Sequence, residues 1–267
     1  MMVYRLDTLS EPGAQENGGS RMILTLTDSG DYQRLCGCQG GGPYVVCVSR
    51  FLCREWKMAV CDFVGFCEAN GKDAVLVLSE EDWASARQAY SGHTYCDPFL
   101  REGEPSVLVH STSMENWRAI RRDGMLKCWN SLSREYPGWE KRPIGRLLGD
   151  PPDFSEYVML GGGAAGEIVV SSRQKGRVVM DEDAEYRTGA RLYFDAEKIA
   201  RDGLLVRDGC HLKVRDALLL EPYLLWAATW EAVGLASQVS TPKRFAGEAD
   251  RQFYLSHLCR KREDALG

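Results

Sequence analysis

The stretch His110–Met125, HSTSMENWRAIRRDGM, follows directly on the apolar run SVLV. An apolar run that ends in a histidine and a hydroxyl-rich junction reads as a buried strand handing over to a helix. Thr112 is placed to cap that helix through its hydroxyl, with Glu115 three residues on returning the bond in a TxxE capping box. Trp117 and Ile120 then fall on the core side, Arg118, Arg121 and Arg122 on the solvent side, and Gly124 supplies the stop. His110 comes at the carboxyl end of the strand, where side chains are commonly presented to ligands, and its ring nitrogens can donate to or accept from a hydroxyl. Taken alone, the plainer reading is a satisfied core histidine.

Working outward, RMILTLT reads as a strand, CGCQGGGP as a glycine-rich turn and YVVCV as a second strand. Residues Arg50–Glu68 carry apolar side chains at helical spacing, including Phe51, Leu52, Trp56, Ala59, Val60, Phe63 and Val64, which predicts a helix with one wide buried face. AVLVLS is a buried strand, and EEDWASARQAY a short helix or turn. The segment DPFLREGEP has linker composition, so the chain divides into a lobe over 1–100, a second lobe over 101–241 and a closing helix over 242–267 behind a Thr-Pro signal. In the second lobe YVML, EIVVS, RVVM, RLYFD, LLV, HLK and ALLL are short strands at close spacing, after an irregular stretch to Asp153 that includes WEKRPIGR. The pattern predicts an α+β protein of two lobes, an N-terminal α/β lobe and a compact, mainly antiparallel C-terminal lobe.

Composition excludes several classes. The net charge is −5, all of it in the first hundred residues, while the rest is neutral with local basic clusters; a bulk polyanion binder would be strongly basic. No apolar run is long enough to cross a bilayer and no secretory leader is visible, so a cytoplasmic protein is expected. The ten cysteines are irregularly spaced in a chain too large to need staples, which argues for reduced thiols. Cys36 and Cys38 form a CxC, and His93, His110, His211 and His257 offer no spaced zinc set, so no metal is expected. Neither glycine-rich stretch carries a phosphate-loop or dinucleotide fingerprint.

Set in order, several segments resemble the NAD-dependent RNA 2'-phosphotransferase (KptA-like) family. VLVHSTSMENWRAIRRDGML is similar to the family's strand, HGT, helix and GL. ARQAYSGHTY, Ala86–Tyr95, is similar to its IRANQGHS segment, and SSRQKGRVVM keeps the SRQ of MSRQHVHLS at Ser172–Gln174. RTGARLYFDAEKIARDG, Arg187–Gly203, resembles RHGKPVVLxxDAEKMxxDG, and GCHLKV followed by LLLEPYLL resembles its closing strands. The departures are definite: after SRFL the chain has CREWK, leaving Arg54 as a partial stand-in for the family's LRH; HGT has become HST; both histidines of HVH are missing; and about forty residues, roughly 127–167, stand where the family has a few.

The resemblance implies an ADP-ribosyltransferase-like split antiparallel sheet that holds NAD as co-substrate, with no metal. An RNA 2'-phosphate attacks the nicotinamide riboside carbon and expels nicotinamide; the neighbouring ribose hydroxyl then takes the phosphate, leaving a free RNA 2'-hydroxyl, a tRNA-processing type of step. Carried over by position, His110, Ser111 and Thr112 contact the NAD ribose, Arg187 lies on the NAD side, Arg173 holds the transferred phosphate and Arg87 reaches it from the first lobe. His93 shapes that strand. Two alternatives keep the fold. One is an ADP-ribosyltransferase acting on nucleic acid or protein, for which Glu221, or Asp216 next, is the acceptor-orienting carboxylate. The other is an inactive module that binds NAD or RNA ends.

Overall fold

RMILTLT alternates, and its Met22, Leu24 and Leu26 are buried on one face of a strand, β2 (Arg21–Thr27). The computed structural model describes residues 3–5, 21–37, 43–136 and 150–264; most of the glycine-rich CGCQGGGP stretch and WEKRPIGR lie outside the described residues. With β1 (Val3–Arg5), β3 (Arg34–Gly37), β4 (Tyr44–Ser49) and β5 (Asp73–Val77), β2 forms a five-stranded sheet in the order β1-β5-β2-β4-β3. All neighbours are parallel except β3, an antiparallel edge strand. Parallel strands need a crossover, and helix α1 (Trp56–Ala69) runs between β4 and β5, burying Val60, Phe63 and Phe66.

The helix expected from Arg50 starts six residues later. Cys53 N–H donates to the Ser49 carbonyl and Leu52 N–H to the Ser49 hydroxyl, so the chain turns before it coils. That turn leaves Phe51 and Leu52, expected on the buried face, exposed instead. Helix α2 (Glu80–Ala89) starts behind Ser79, whose hydroxyl accepts from Asp82 N–H.

After residue 105 the sheets are antiparallel, as expected. β6 (Val107–Thr112), β10 (Ala190–Asp195) and β14 (Leu224–Ala228) pair in the order β14-β10-β6. β8 (Tyr157–Leu160), β11 (Leu205–Arg207) and β12 (Leu212–Arg215) pair as β11-β12-β8. One bridge, Val109 to Gly161, links β6 to the end of β8. Two short ladders complete the set: β7 (Met125–Lys127) with β13 (Ala217–Leu219), and β9 (Tyr186–Arg187) with β15 (Val239–Ser240). The protein is mixed α+β.

β10 is covered on both faces, which is why RLYFD reads as a continuous buried strand. Leu192 and Phe194 pack with Leu108, Trp117 and Ile199. On the other face Tyr193 stacks on Phe253 at 4.3 Å between centroids. Phe253 belongs to the last helix, Pro242–Asp264. The core under the five-stranded sheet takes in Phe154 and Tyr157 from the later part of the chain.

Three elements differ from the sequence reading. Thr112 does not cap helix α3 (Met114–Asp123): it is still in β6, paired with Ala190 and buried, so the cap falls to Ser113, whose hydroxyl accepts from Asn116 N–H at 3.2 Å. EIVVS is not a strand. Trp129–Glu135 being α4, EIVVS lies inside α5 (Ala165–Lys175), where Glu167, Val170 and Ser171, at helical spacing, are buried. Packing of that face overrides the β-branched run. RVVM is not a strand either. Ala196–Arg201 forms α6, capped by Asp195, and Pro242–Asp264 is α7. Among the described residues no helix is long and apolar enough to cross a membrane.

Candidate functional site

Strand alternation separates the residues of the HST segment. His110 pairs with Leu192 and shares its face, while Ser111 pairs with Arg191 and points the other way. His110 Nδ1 lies 3.1 Å from the Met159 carbonyl, which can only accept, so Nδ1 carries a proton, and in the neutral ring Nε2 is the acceptor, with no hydrogen-bond partner among the described residues. Burial pushes the His110 pKa down, the Met159 contact opposes this, and the charge of Arg173 lowers it further. At neutral pH the site therefore offers an unprotonated imidazole beside a guanidinium.

Arg173 comes from the last turn of α5 and stacks on Trp129, at the start of α4, with Cζ 4.6 Å from the ring centroid. It is half-buried and makes no ion pair with a carboxylate among the described residues; burial alone lowers its pKa. A desolvated, oriented guanidinium with no counter-ion is a standing anion site. Its neighbour in sequence, Gln174, does a different job: Nε2 donates to the Arg187 carbonyl at 2.7 Å and Oε1 accepts Arg187 N–H at 3.0 Å.

Behind β6 lies a network that the sequence reading missed. Ser111 Oγ donates to Glu167 Oε1 and Tyr186 Oη to Glu167 Oε2, both at 2.5 Å. Arg191 Nη1 is 3.8 Å from Glu167 Oε1, and Arg191 Nη2 is 2.9 Å from Asp250 Oδ1 on α7. Burial pushes the Glu167 pKa above the usual carboxylate range. Glu167 and Arg191 are fully buried, so this network fastens α5, β9 and α7 to the sheet. A clue lay in the spacing of Glu167, Val170 and Ser171, had EIVVS been read as helical. A Cβ on Gly166 would lie 2.6 Å from Ser111 Oγ and 2.9 Å from its Cβ. Gly166→Ala is therefore expected to push α5 off β6 and cost about 1–3 kcal/mol in urea denaturation; a cost below a few tenths would show that α5 gives way freely.

The remaining expected residues do not gather here. Arg87 is exposed in the last turn of α2, 5.3 Å over the Trp83 ring, and shares no contact with Arg173. It was placed by a resemblance whose N-terminal match is short. His93 Nδ1 is 2.7 Å from Asp97 Oδ2 and its ring abuts Tyr90 and Phe99, a structural role. Arg54 is exposed in the turn before α1. Arg187 is exposed at a strand pair, its Nη2 3.4 Å from Gln238 Oε1. Glu221 is exposed in the turn before β14, whose Leu224 pairs with Phe194; this is the end of the sheet marked by Val107, not by Thr112. Asp216, with φ 59°, is exposed 3.6 Å from Arg134.

A set of potential metal ligands, not expected from sequence spacing, comes together elsewhere in the fold. Cys36 of β3 and His211, 175 residues apart, bring Sγ and Nε2 within 3.3 Å, with Cys210 beside them. Fold and site thus define a mixed α+β protein in which Arg173, without a carboxylate partner among the described residues, lies within electrostatic reach of His110 on β6. No protein-family model, curated protein or solved structure matches the chain.

The neutral state of His110 carries a pH prediction. Its folded pKa is below the ordinary value of 6.5, so the unfolded chain binds the proton more readily. The stability contribution of the neutral ring is complete above 6.5 and is lost as pH falls through and below that value. The difference in melting temperature between wild type and His110→Gln is expected to shrink from pH 7.5 to pH 5, as followed by circular dichroism; a constant difference would refute it.

Proposed function

We propose that the chain is an NAD-dependent transferase that moves a 2'-phosphate from RNA to the ribose of NAD, with the site at His110, Arg173 and Trp129. The observation that carries this reading is the half-buried Arg173, which has no carboxylate partner among the described residues and lies close enough to His110 to disfavour its protonation. The pair of three-stranded antiparallel sheets, held at β6 and β8 by one bridge, supports the split-sheet arrangement that the resemblance implies.

NAD supplies the electrophilic ribose carbon and nicotinamide as the leaving group. The chain's own part is to hold and orient: Nε2 of His110 accepts from a ribose hydroxyl, and Arg173, its plane set by Trp129, holds a phosphate by two parallel donors. Phosphate is favoured over an uncharged acceptor because, among the described residues, neither Glu167, which is behind β6, nor Glu221, at the other end of the sheet, shares the face of His110 to activate one. A phosphate brings its own nucleophilic charge. Arg87 has no part in this arrangement.

The test is incubation of the full chain with NAD and a 2'-phosphorylated oligonucleotide. Release of nicotinamide with loss of the phosphate is the expected result. A mass gain on the oligonucleotide would instead mark ADP-ribosyl transfer, and no turnover despite NAD binding would mark a binding module.

A further inference from the structure

Two thiols and an imidazole from distant parts of the chain converge beside the β11–β12 turn. Cys36 Sγ lies 3.3 Å from His211 Nε2, and the donor atoms of Cys36, Cys210 and His211 all lie within 4.8 Å of one another. Zinc bonds of about 2.3 Å to sulfur and 2.0–2.1 Å to nitrogen place tetrahedral donors roughly 3.5–4 Å apart, so the three atoms stand near the spacing an ion would impose.

The surroundings are built for ligation. Asp208 Oδ2 lies 3.1 Å from His211 Nδ1, which turns Nε2 toward the thiols as the free donor. The other oxygen of Asp208 accepts the backbone N–H groups of Cys210 at 2.9 Å and His211 at 2.6 Å, so one carboxylate sets both the turn and the ring. Gly209, with φ +86°, lets that turn lie against α1; a Cβ there would meet Phe63 Cβ at 2.9 Å. Asp150 is close enough to interact electrostatically with both Cys36 and His211.

We propose that Cys36, Cys210 and His211 bind one zinc ion, with Asp150 or water in the fourth position, clamping edge strand β3 to the β11–β12 turn. Soft thiolates with one imidazole in this spacing select zinc over magnesium or calcium. Binding displaces the proton shared between Cys36 Sγ and His211 Nε2 and the proton of Cys210, and the two thiolate charges cancel that of the ion. Cys36, His211 and Asp208 in line also have the order of a nucleophilic triad, but such a triad leaves Cys210 without a role, whereas a metal uses it. This proposal stands apart from the NAD site and shares no residue with it.

Zinc is measured by elemental analysis on the full chain purified without chelator. About one zinc per chain is expected, lost in Cys36→Ser and in Cys210→Ser and kept in Cys96→Ser, which changes an exposed thiol. If the serine variants fail to fold, cobalt-loaded wild type decides: thiolate-to-cobalt charge transfer with tetrahedral d–d bands is expected, and protection of Cys36 and Cys210 from iodoacetamide by added zinc is expected with it. A chain without zinc, zinc content indifferent to both substitutions, a cobalt spectrum without thiolate bands, a Cys36–Cys210 disulfide in the intact mass, or Cys36 alkylation unchanged by zinc would each overturn the proposal.

Discussion

Arg173→Ala is expected to lower turnover of NAD with a 2'-phosphorylated oligonucleotide by about 10²–10³-fold, the usual cost of deleting one preorganised donor at a centre of developing charge. Arg173→Lys should recover only part of this. A lysine keeps the charge, but it neither offers two parallel donors nor presents a planar group over Trp129, where the guanidinium Cζ lies 4.6 Å from the ring centroid. The stability readout should move little, or upward. Arg173 has no ion pair to lose among the described residues and pays a desolvation cost, so removing its charge relieves a strain on the fold. Lower turnover with an unchanged or raised melting temperature is the signature of a residue kept for binding. Unchanged turnover would remove Arg173 from the site, and equal losses of stability and turnover would reduce it to a structural side chain.

The elements that could be read from the chain are those whose local pattern and tertiary role agree. β6 and β10 are buried runs that end at a polar junction; β10 falls where RLYFD places it, and β6 covers the VLVH of SVLVH but runs two residues further, to Thr112. The cap of α3 was misplaced by one residue because Thr112 and Ser113 are chemically alike; the pairing of Thr112 with Ala190, a contact across nearly eighty positions, decides between them. α5 was read as a strand because Ile168, Val169 and Val170 favour extended backbone, and only the packing of Glu167 and Val170 against the sheet makes it a helix. The same limit governs the sites. A run of segments in order singles out His110, Arg173 and Arg87; the structure brings the first two within electrostatic reach of each other and leaves Arg87 exposed on α2. Cys36, Cys210 and His211 were not legible at all, since a CxC and a lone Cys-His pair gain meaning only when β3 and the β11–β12 turn meet.

Asp208→Ala is expected to cost about 3–5 kcal/mol of unfolding free energy at pH 7, the penalty of leaving a buried charge alone. Its partner Lys213 is completely buried, with Nζ 2.6 Å from Asp208 Oδ2 and 3.7, 4.1 and 4.5 Å from the ring centroids of Phe66, Phe154 and Tyr157. Three aromatic faces soften the burial of an ammonium but do not replace a carboxylate. Lys213→Met should cost less, because Asp208 keeps His211 and two backbone N–H groups while a thioether suits the aromatic pocket. Burial would raise the Asp208 pKa, yet Lys213 and His211 outweigh it and hold the carboxylate well below its ordinary value of 3.8. A depressed folded pKa means that this stability is present above 3.8 and is lost only as pH falls below it, so the gap between wild type and Asp208→Ala should persist from pH 7 to pH 5. Urea denaturation with excess zinc and with chelator separates the lost ion pair from any lost metal. An Asp208→Ala cost below about 1 kcal/mol in chelator, or a larger cost for Lys213→Met, would show that the aromatic faces alone hold Lys213.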